Sequence, residues 1–292
     1  MPDFYCGLEI AGVCFGIRAD FPVKVTPPYE PFLTDRAPDC LTELRLVDTL
    51  PVLPADTRLI SRQLSFDVVQ LPDGSCRRLF FDELRGRRCY AAAQYDPAAR
   101  HSVVLCLRDE VRNVNHLRGA FFHLAWEEFL LRQGRFIAHA CLVDTPAGGI
   151  LFSGPSGIGK STQGALWQTH AGGRILNGDR PVLYRRAGQW LACGSPYAGS
   201  SEYYVNEQTP VRAIVLLRQA ASCTIRPMQP GEAFRGLWKG LTVSDWDPAL
   251  TTLAVDLCAA ASSEIPFYAL DCTPDETAVR LLQHTLEASH PC

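Results

Sequence analysis

The sequence predicts an α/β (α+β) protein in which a β-rich N-terminal region, residues 1–114, precedes a second domain of mixed sheet and helices, residues 115–292. Three observations predict this class. Turn residues separate alternating strand-like runs in the first third of the chain, the hydrophobic period becomes helical after residue 114, and strands and helices alternate after residue 135. A length of 292 residues with 47% hydrophobic side chains is enough to bury a large core and suits one large or two small domains.

Turn signals divide the N-terminal region into hairpins. They fall at Gly12, at residues 72–75 and at residues 96–99, and each lies between two runs of strand-forming residues. Proline fixes φ in such turns and glycine accepts a positive φ, so the chain can reverse there. We therefore expect an antiparallel sheet built from hairpins.

The second domain begins with a helical pattern over residues 115–133, which Gly134 ends. A hairpin and a C-terminal amphipathic helix are also predicted. The further predicted strands are 136–143, 149–153, 174–177, 182–185, 189–193 and 211–217, and the further predicted helices are 160–170 and 277–286.

A glycine-rich loop follows the strand 149–153 and fits the P-loop pattern G-x-x-x-x-G-K-[ST]. Its glycines let backbone amides converge on a phosphate, and the following helix adds its positive N-terminal end. Lys160 can reach the β- and γ-phosphates, and the Ser161 hydroxyl is a ligand for Mg²⁺. The loop thus predicts a nucleoside triphosphate as ligand. The predicted contacts are Gly154, Pro155, Ser156, Gly157, Ile158, Gly159, Lys160, Ser161 and Thr162.

Two side chains at strand ends are further candidates. Asp179 follows the strand 174–177, where a carboxylate can bind Mg²⁺ or accept a proton from an attacking hydroxyl. The alternative is a turn residue before Arg180. His139 ends the strand-like run 135–138, which comes just before the strand of the glycine-rich loop, and its alternative is a hydrogen-bonded core histidine.

The segment from His139 through Ser161, followed by Asp179, resembles the core of the HPr kinase/phosphorylase family, which shares its P-loop kinase core with phosphoenolpyruvate carboxykinases. The resemblance implies a mixed sheet, ATP and Mg²⁺ as cofactors, a hydroxyl acceptor that is often a serine, and ring-shaped homo-oligomers. It also implies that Ser161 and Asp179 serve the metal, and that Asp179 is the acid/base with His139 as its partner. The overall pattern resembles the members of this family that are associated with peptide modification.

The chain departs from this family at two places. The family usually has two adjacent aspartates where this chain has Asn177-Gly178-Asp179, and its second signature is replaced by residues 194–204. Within that replacement Glu202 is a candidate second metal ligand, with a surface carboxylate as the alternative.

The leading function is ATP-dependent phosphoryl transfer to a hydroxyl on a peptide, protein or small molecule, with Arg180 or Arg218 as a candidate further cation. A nucleotide-sensing binding module without transferase activity is the alternative, and carboxykinase-like chemistry is a third. A net charge of −3 argues against nucleic-acid or anionic-membrane partners. Without a signal peptide or a membrane-spanning run we expect a cytoplasmic protein whose 12 cysteines are reduced.

Overall fold

The structure, a computed structural model, describes residues 4–96, 100–244 and 246–288. It is a mixed α/β protein, as the sequence predicts. The chain divides into unit 1 (Met1–Arg132 and Ser244–Leu250) and unit 2 (Gln133–Val243 and Thr251–Cys292). Residues 115–132, which the sequence analysis places in the second domain, lie in unit 1 by this division. The predicted turn at residues 96–99 lies mainly outside the described residues.

Unit 1 is built on one nine-stranded sheet. Its strands are β1 (Phe4–Ile10), β2 (Val13–Ala19), β3 (Leu33–Thr34), β4 (Cys40–Val47), β5 (Arg58–Arg62), β6 (Phe66–Gln70), β7 (Cys76–Asp82), β8 (Arg88–Tyr95) and β9 (His101–Leu107). The spatial order is β3-β1-β2-β4-β9-β8-β7-β6-β5. The predicted antiparallel pairs β1–β2, β6–β7 and β8–β9 are present.

The prediction of a purely antiparallel sheet is wrong at the centre of unit 1. Strand β4 pairs in parallel with both β2 and β9. Parallel neighbours require long connections, and the chain leaves β2 at Ala19 and enters β4 only at Cys40. Turn signals identify hairpins from local residues, but they carry no information about a strand that pairs across such a connection.

The helical pattern over residues 115–133 forms two helices, α1 (Leu117–Phe122) and α2 (Trp126–Arg132), rather than the predicted one. Helix α1 ends in a tighter turn, in which the His123 amide donates to Ala120 O at 3.1 Å, three residues earlier in the chain. The His123 ring is 1% exposed. Its Nδ1 donates to Gly119 O at 2.7 Å, and its Nε2 accepts from the Tyr90 hydroxyl at 3.1 Å. Both ring nitrogens are thus satisfied in the neutral form.

Acid should destabilise unit 1 through His123. Burial lowers the pKa of His123 from 6.5 to about 4, so the folded state disfavours its protonation. Above pH 6.5 the neutral ring costs the folded state nothing. As the pH falls from 6.5 toward 4, the free energy of unfolding decreases by about 3 kcal/mol in total, because only the unfolded chain takes up the proton readily. Urea unfolding at pH 7 and pH 4.5 should show a larger acid loss for the wild type than for His123→Gln, which cannot titrate. An equal loss in both proteins would contradict this assignment.

Unit 2 contains the second sheet. Its strands are β10 (Arg135–Ile137), β11 (Ala140–Asp144), β12 (Gly149–Ser153), β13 (Arg174–Asn177), β14 (Val182–Arg186), β15 (Gln189–Cys193), β16 (Gln208–Gln219), β17 (Thr224–Pro227) and β18 (Phe267–Cys272). Its helices are α3 (Lys160–Ala171), α4 (Pro230–Trp238), most of α5 (Pro248–Glu264), and α6 (Glu276–Ala288). Four of these elements, β17, β18, α4 and α5, were not predicted from the sequence.

The sheet of unit 2 is mixed. Its order is β10-β14-β15-β16-β12-β11-β13, with β18 also beside β16 and β17 beside β18. Strand β16 runs parallel to β12 and β18, whereas β11 is antiparallel to β12 and β13. Helices α3 and α6 pack against the same core. The ring centroid of Trp167 in α3 lies 6.1 Å from that of Phe152 in β12, and α6 contributes Val279 and Leu282 at helical spacing.

The predicted strand 136–143 is broken at Ala138 and His139. Its first part, β10, pairs with β14, and its second part, β11, pairs with β12 and β13. At the break the Ala138 amide donates to Pro181 O at 3.1 Å and the His139 amide to Gly240 O at 2.7 Å. The break thus occurs because the two halves join different strands, and it places His139 between them.

No helix in the described part of the chain is long and apolar enough to span a membrane. Eight of the eleven cysteines among the described residues are buried. Burial raises the pKa of several of these thiols, among them Cys6 and Cys141, to about 12. They behave as small apolar side chains in the core.

Candidate functional site

The glycine-rich loop joins the end of β12 to the start of α3. Positive φ angles of 149°, 78° and 113° occur at Gly154, Gly157 and Gly159, a backbone conformation that glycine adopts without strain. Gly159 is the N-cap of α3, and it offers no side chain to cap the helix. The first-turn amides of α3 are therefore available to an anion, which the helix dipole also favours.

A cavity of about 310 Å³ lies against this loop. The loop and α3 contribute Ser156, Gly157, Gly159, Lys160, Ser161 and Thr162. The remaining lining residues are His139, Gly178, Asp179, Ala198, Ser200 and Ser201. Eight of these twelve residues carry polar or charged side chains, so the cavity suits a charged, hydrogen-bonding ligand rather than an apolar one.

Lys160 is buried at the base of this cavity, with 8% of its surface exposed. Its Nζ donates to Gly154 O at 3.1 Å and to Pro155 O at 3.2 Å. Burial lowers the pKa of Lys160, and the Asp179 carboxylate opposes that shift. Two neutral carbonyls are weak partners for a buried ammonium, so phosphate oxygens would be stronger ones.

His139 and Asp179 form a pair on the rim of the cavity, with His139 Nε2 3.0 Å from Asp179 Oδ1. Burial lowers the pKa of His139, and nearby Lys160 lowers it further, against the opposing effect of Asp179. The ring is therefore neutral at pH 7. Because a carboxylate only accepts, the proton of the neutral ring lies on Nε2 and is donated to Asp179. A main-chain bond from the Ala140 amide to Asp179 O, at 3.0 Å, holds the two segments together.

Asn177 is fully buried and binds the main chain next to this pair. Its Oδ1 accepts from the amides of Asp179, at 2.9 Å, and Arg180, at 2.6 Å. Its Nδ2 donates to Ser195 O at 2.9 Å and Tyr197 O at 3.0 Å. A carboxylate could not donate to those two carbonyls, so an asparagine suits this position better than an aspartate. The sequence analysis assigned no role to Asn177, although asparagine before Gly-Asp is typical of an Asx turn.

The segment after β15 approaches Asp179 closely at Gly199. A Cβ added to Gly199 would lie 2.9 Å from Asp179 Cγ and 3.0 Å from Asp179 Oδ2, and the φ of Gly199 is +61°. Both the space and the backbone conformation therefore require glycine. This contact brings Ser200 and Ser201 to the cavity, which the sequence analysis did not predict.

The structure brings His139, Lys160, Ser161, Thr162 and Asp179 to one cavity. It does not bring Glu202 there, because Glu202 is exposed and is absent from the cavity lining.

The two arginines suggested as further cations differ in position. Arg180 lies near Asp179, with Nε 3.6 Å from Oδ2, and also donates to Thr242 Oγ1 at 2.7 Å. Arg218 is bound to Asp271, with its Nε 2.7 Å from Oδ1, and is largely exposed. Of the two, only Arg180 has a carboxylate of the cavity within reach.

The donor set of the cavity fits Mg²⁺ in chemistry. A hydroxyl, Ser161, and a carboxylate, Asp179, face the same space, and Mg²⁺ prefers few protein oxygens together with water and phosphate. Among the described residues no group of three or more His, Cys, Asp or Glu side chains is arranged to hold a metal. The cavity thus suits a metal that arrives with a phosphate ligand rather than one held in a protein cage.

No protein-family model and no curated protein matches the chain. Among solved structures it is similar to the Hpr(Ser) kinase/phosphatase from Coxiella burnetii, with 14% sequence identity and a TM-score of 0.31. The matched region covers 52% of this chain and 93% of that one. This is a distant structural similarity, and the function has to be inferred from the chain's own site residues.

Proposed function

We propose that this protein is a kinase that transfers the γ-phosphoryl group of ATP to a serine-type hydroxyl on a peptide, protein or small molecule. One observation carries the proposal. The His139–Asp179 pair, 3.0 Å apart, lines the same cavity as Lys160 and Ser161. A phosphate-binding loop and a proton acceptor in one cavity are the two parts that phosphoryl transfer to a hydroxyl requires.

The glycine-rich loop would hold the phosphates. Lys160 would leave the carbonyls of Gly154 and Pro155 and bind phosphate oxygens, which carry more charge in the transition state. Ser161 and Asp179 would hold Mg²⁺, which when bound neutralises charge on the phosphates. The first-turn amides of α3 would add neutral donors that are already oriented.

Asp179 would accept the proton of the acceptor hydroxyl. Neutral His139 donates to Oδ1 and so would orient the carboxylate toward the hydroxyl. The Asn177 bonds fix the backbone of Asp179 and Arg180 at the end of β13. His139 would therefore be a positioning residue, and Asp179 the group that touches the substrate.

Transfer from ATP labelled in the γ-phosphate tests this function. Purified protein with Mg²⁺ should transfer label to at least one member of a panel of serine-containing peptides and small hydroxyl compounds. Label on threonine or sugar hydroxyls would extend the acceptor class without changing the chemistry. Tight ATP binding with no transfer to any acceptor, and no release of phosphate, would argue against a kinase.

A nucleotide-sensing binding module is the second candidate. This candidate is favoured because, within the described residues, Asp179 is the single carboxylate that lines the cavity. Asn177, which stands near the position of a further acid in the resembled family, uses its amide for main-chain bonds instead. In a sensing module Asp179→Asn would change neither nucleotide affinity nor the biological output.

A further inference from the structure

A second cavity of about 410 Å³ lies against the glycine-rich loop. It shares Gly157, Gly159 and Thr162 with the first cavity. The first cavity extends toward Asp179, which follows β13, whereas the second extends toward residues that follow β16 and β18. Because β12 lies between β11 and β16 in the sheet, the loop after β12 separates the two cavities.

The two cavities differ in chemistry. The first contains Lys160, His139 and Asp179, whereas the lining of the second contains no charged side chain among the described residues. Its walls include Ala220, Pro274 and the thiol of Cys272. A triphosphate would be poorly solvated in such a cavity, but a flat, largely apolar group with a few polar edges fits it.

Gln163 of α3 carries an unused polar group at this second cavity. The side chain is 2% exposed, and its Oε1 has no hydrogen-bond partner within the described part of the chain. Its Nε2 contacts only a weak acceptor, Cys272 Sγ, at 3.5 Å. A buried acceptor without a donor destabilises the folded state, so its presence beside a cavity points to a ligand that supplies the donor.

We propose that the second cavity binds the nucleoside of the triphosphate, with Gln163 as the residue that recognises the base. This inference rests on the proposed function and assigns the two ends of its substrate. An N–H donor on the edge of the base would bond to Gln163 Oε1 after rotation of the amide. The phosphates would cross the amides of the glycine-rich loop, and the terminal phosphate would reach Lys160 and Asp179.

Gln219 links the nucleoside cavity to the loop. Its Nε2 donates to Gly157 O at 3.2 Å and to Ile158 O at 3.4 Å, and the residue also lines the second cavity. With those carbonyls turned toward Gln219, the loop amides can face the phosphates. The acceptor hydroxyl would then approach from the opposite side, past Ser200 and Ser201.

Calorimetric titration with ATP and with inorganic tripolyphosphate separates the two parts of the site, because tripolyphosphate lacks the nucleoside. We expect the wild type to bind ATP at least about tenfold more tightly than tripolyphosphate, as one good hydrogen bond and the buried base would provide. In Gln163→Leu this preference should fall about tenfold, while tripolyphosphate affinity stays unchanged.

Two further variants and one stability measurement complete the test. Gln168→Leu makes the same change on α3 at a residue outside both cavities and should keep the preference for ATP. Ala220→Leu narrows the second cavity with a larger side chain at another wall and should lose the preference for ATP over tripolyphosphate. Gln163→Leu without ligand should unfold at the same or a higher temperature than the wild type, since it removes an unpaired buried acceptor.

The outcomes distinguish this inference from the proposed function. Equal binding of ATP and tripolyphosphate by the wild type, or an equal loss of both in Gln163→Leu, would overturn the nucleoside assignment and leave the kinase proposal standing. If the wild type prefers ATP and Gln163→Leu loses this preference, but no phosphoryl transfer occurs, the kinase proposal is overturned and the nucleoside assignment is supported. Absence of binding by either compound would overturn both.

Discussion

Asp179→Asn should lower the rate of phosphoryl transfer by about 10²- to 10⁴-fold, with a much smaller change in ATP affinity. The amide has nearly the same shape and can still accept from His139 Nε2, so the geometry of the rim is retained. It cannot accept the proton of the acceptor hydroxyl. Initial rates at saturating ATP and acceptor measure the effect on kcat, and calorimetry measures the affinity.

The matched control for this change is Asp144→Asn. Asp144 ends β11, is 29% exposed against 24% for Asp179, and is bound to Arg174 outside the cavity. It should transfer phosphate at the wild-type rate. Similar rates in the two variants would remove Asp179 from the chemistry.

Lys160→Met should weaken ATP binding by about 10- to 100-fold and lower the rate of transfer by a further 10²- to 10³-fold. Methionine keeps the apolar stem of the side chain but removes the charge that would bind the phosphates. The affinity loss reflects charge-assisted bonds in the ground state, and the additional rate loss reflects charge that develops only in the transition state. Calorimetry and single-turnover rates separate the two.

Stability distinguishes a lost ligand contact from misfolding in Lys160→Met. Burial lowers the pKa of Lys160, which means that the folded protein disfavours its charged form. Without nucleotide, Lys160→Met should therefore unfold at the same or a higher temperature than the wild type. Lys24→Met, at an exposed residue of unit 1, is the control and should retain ATP affinity. A lower unfolding temperature for Lys160→Met would indicate a structural role instead.

The local features of the fold could be predicted from the sequence. Hairpin turns such as residues 72–75 depend on residues that are adjacent in the chain, and β12 with its following loop depends on one short segment. The parallel pairing of β4 and the positions of β17 and β18 depend on distant segments. No local pattern encodes those contacts, because the energy that selects them comes from packing across the sheet.

The candidate site divides in the same way. His139 and Asp179 could be proposed from their places in the predicted strands, but their 3.0 Å contact depends on the break between β10 and β11. Gln163 and Asn177 were not proposed, because only burial and partner atoms distinguish them from ordinary polar residues. Glu202 was proposed from its place in the segment that replaces the family's second signature, and it is exposed and absent from the cavity lining.

The main-chain bond between Ala140 and Asp179 has a consequence for how this site can change over generations. It ties Asp179, the proposed proton acceptor, to two strands of the sheet, whereas Ser200 and Ser201 belong to a connecting segment. Mutations at those serines can alter which hydroxyl fits without displacing the His139–Asp179 pair. We therefore expect homologues to diverge in acceptor preference at these positions while Gly199, which has no room for a side chain, stays constant.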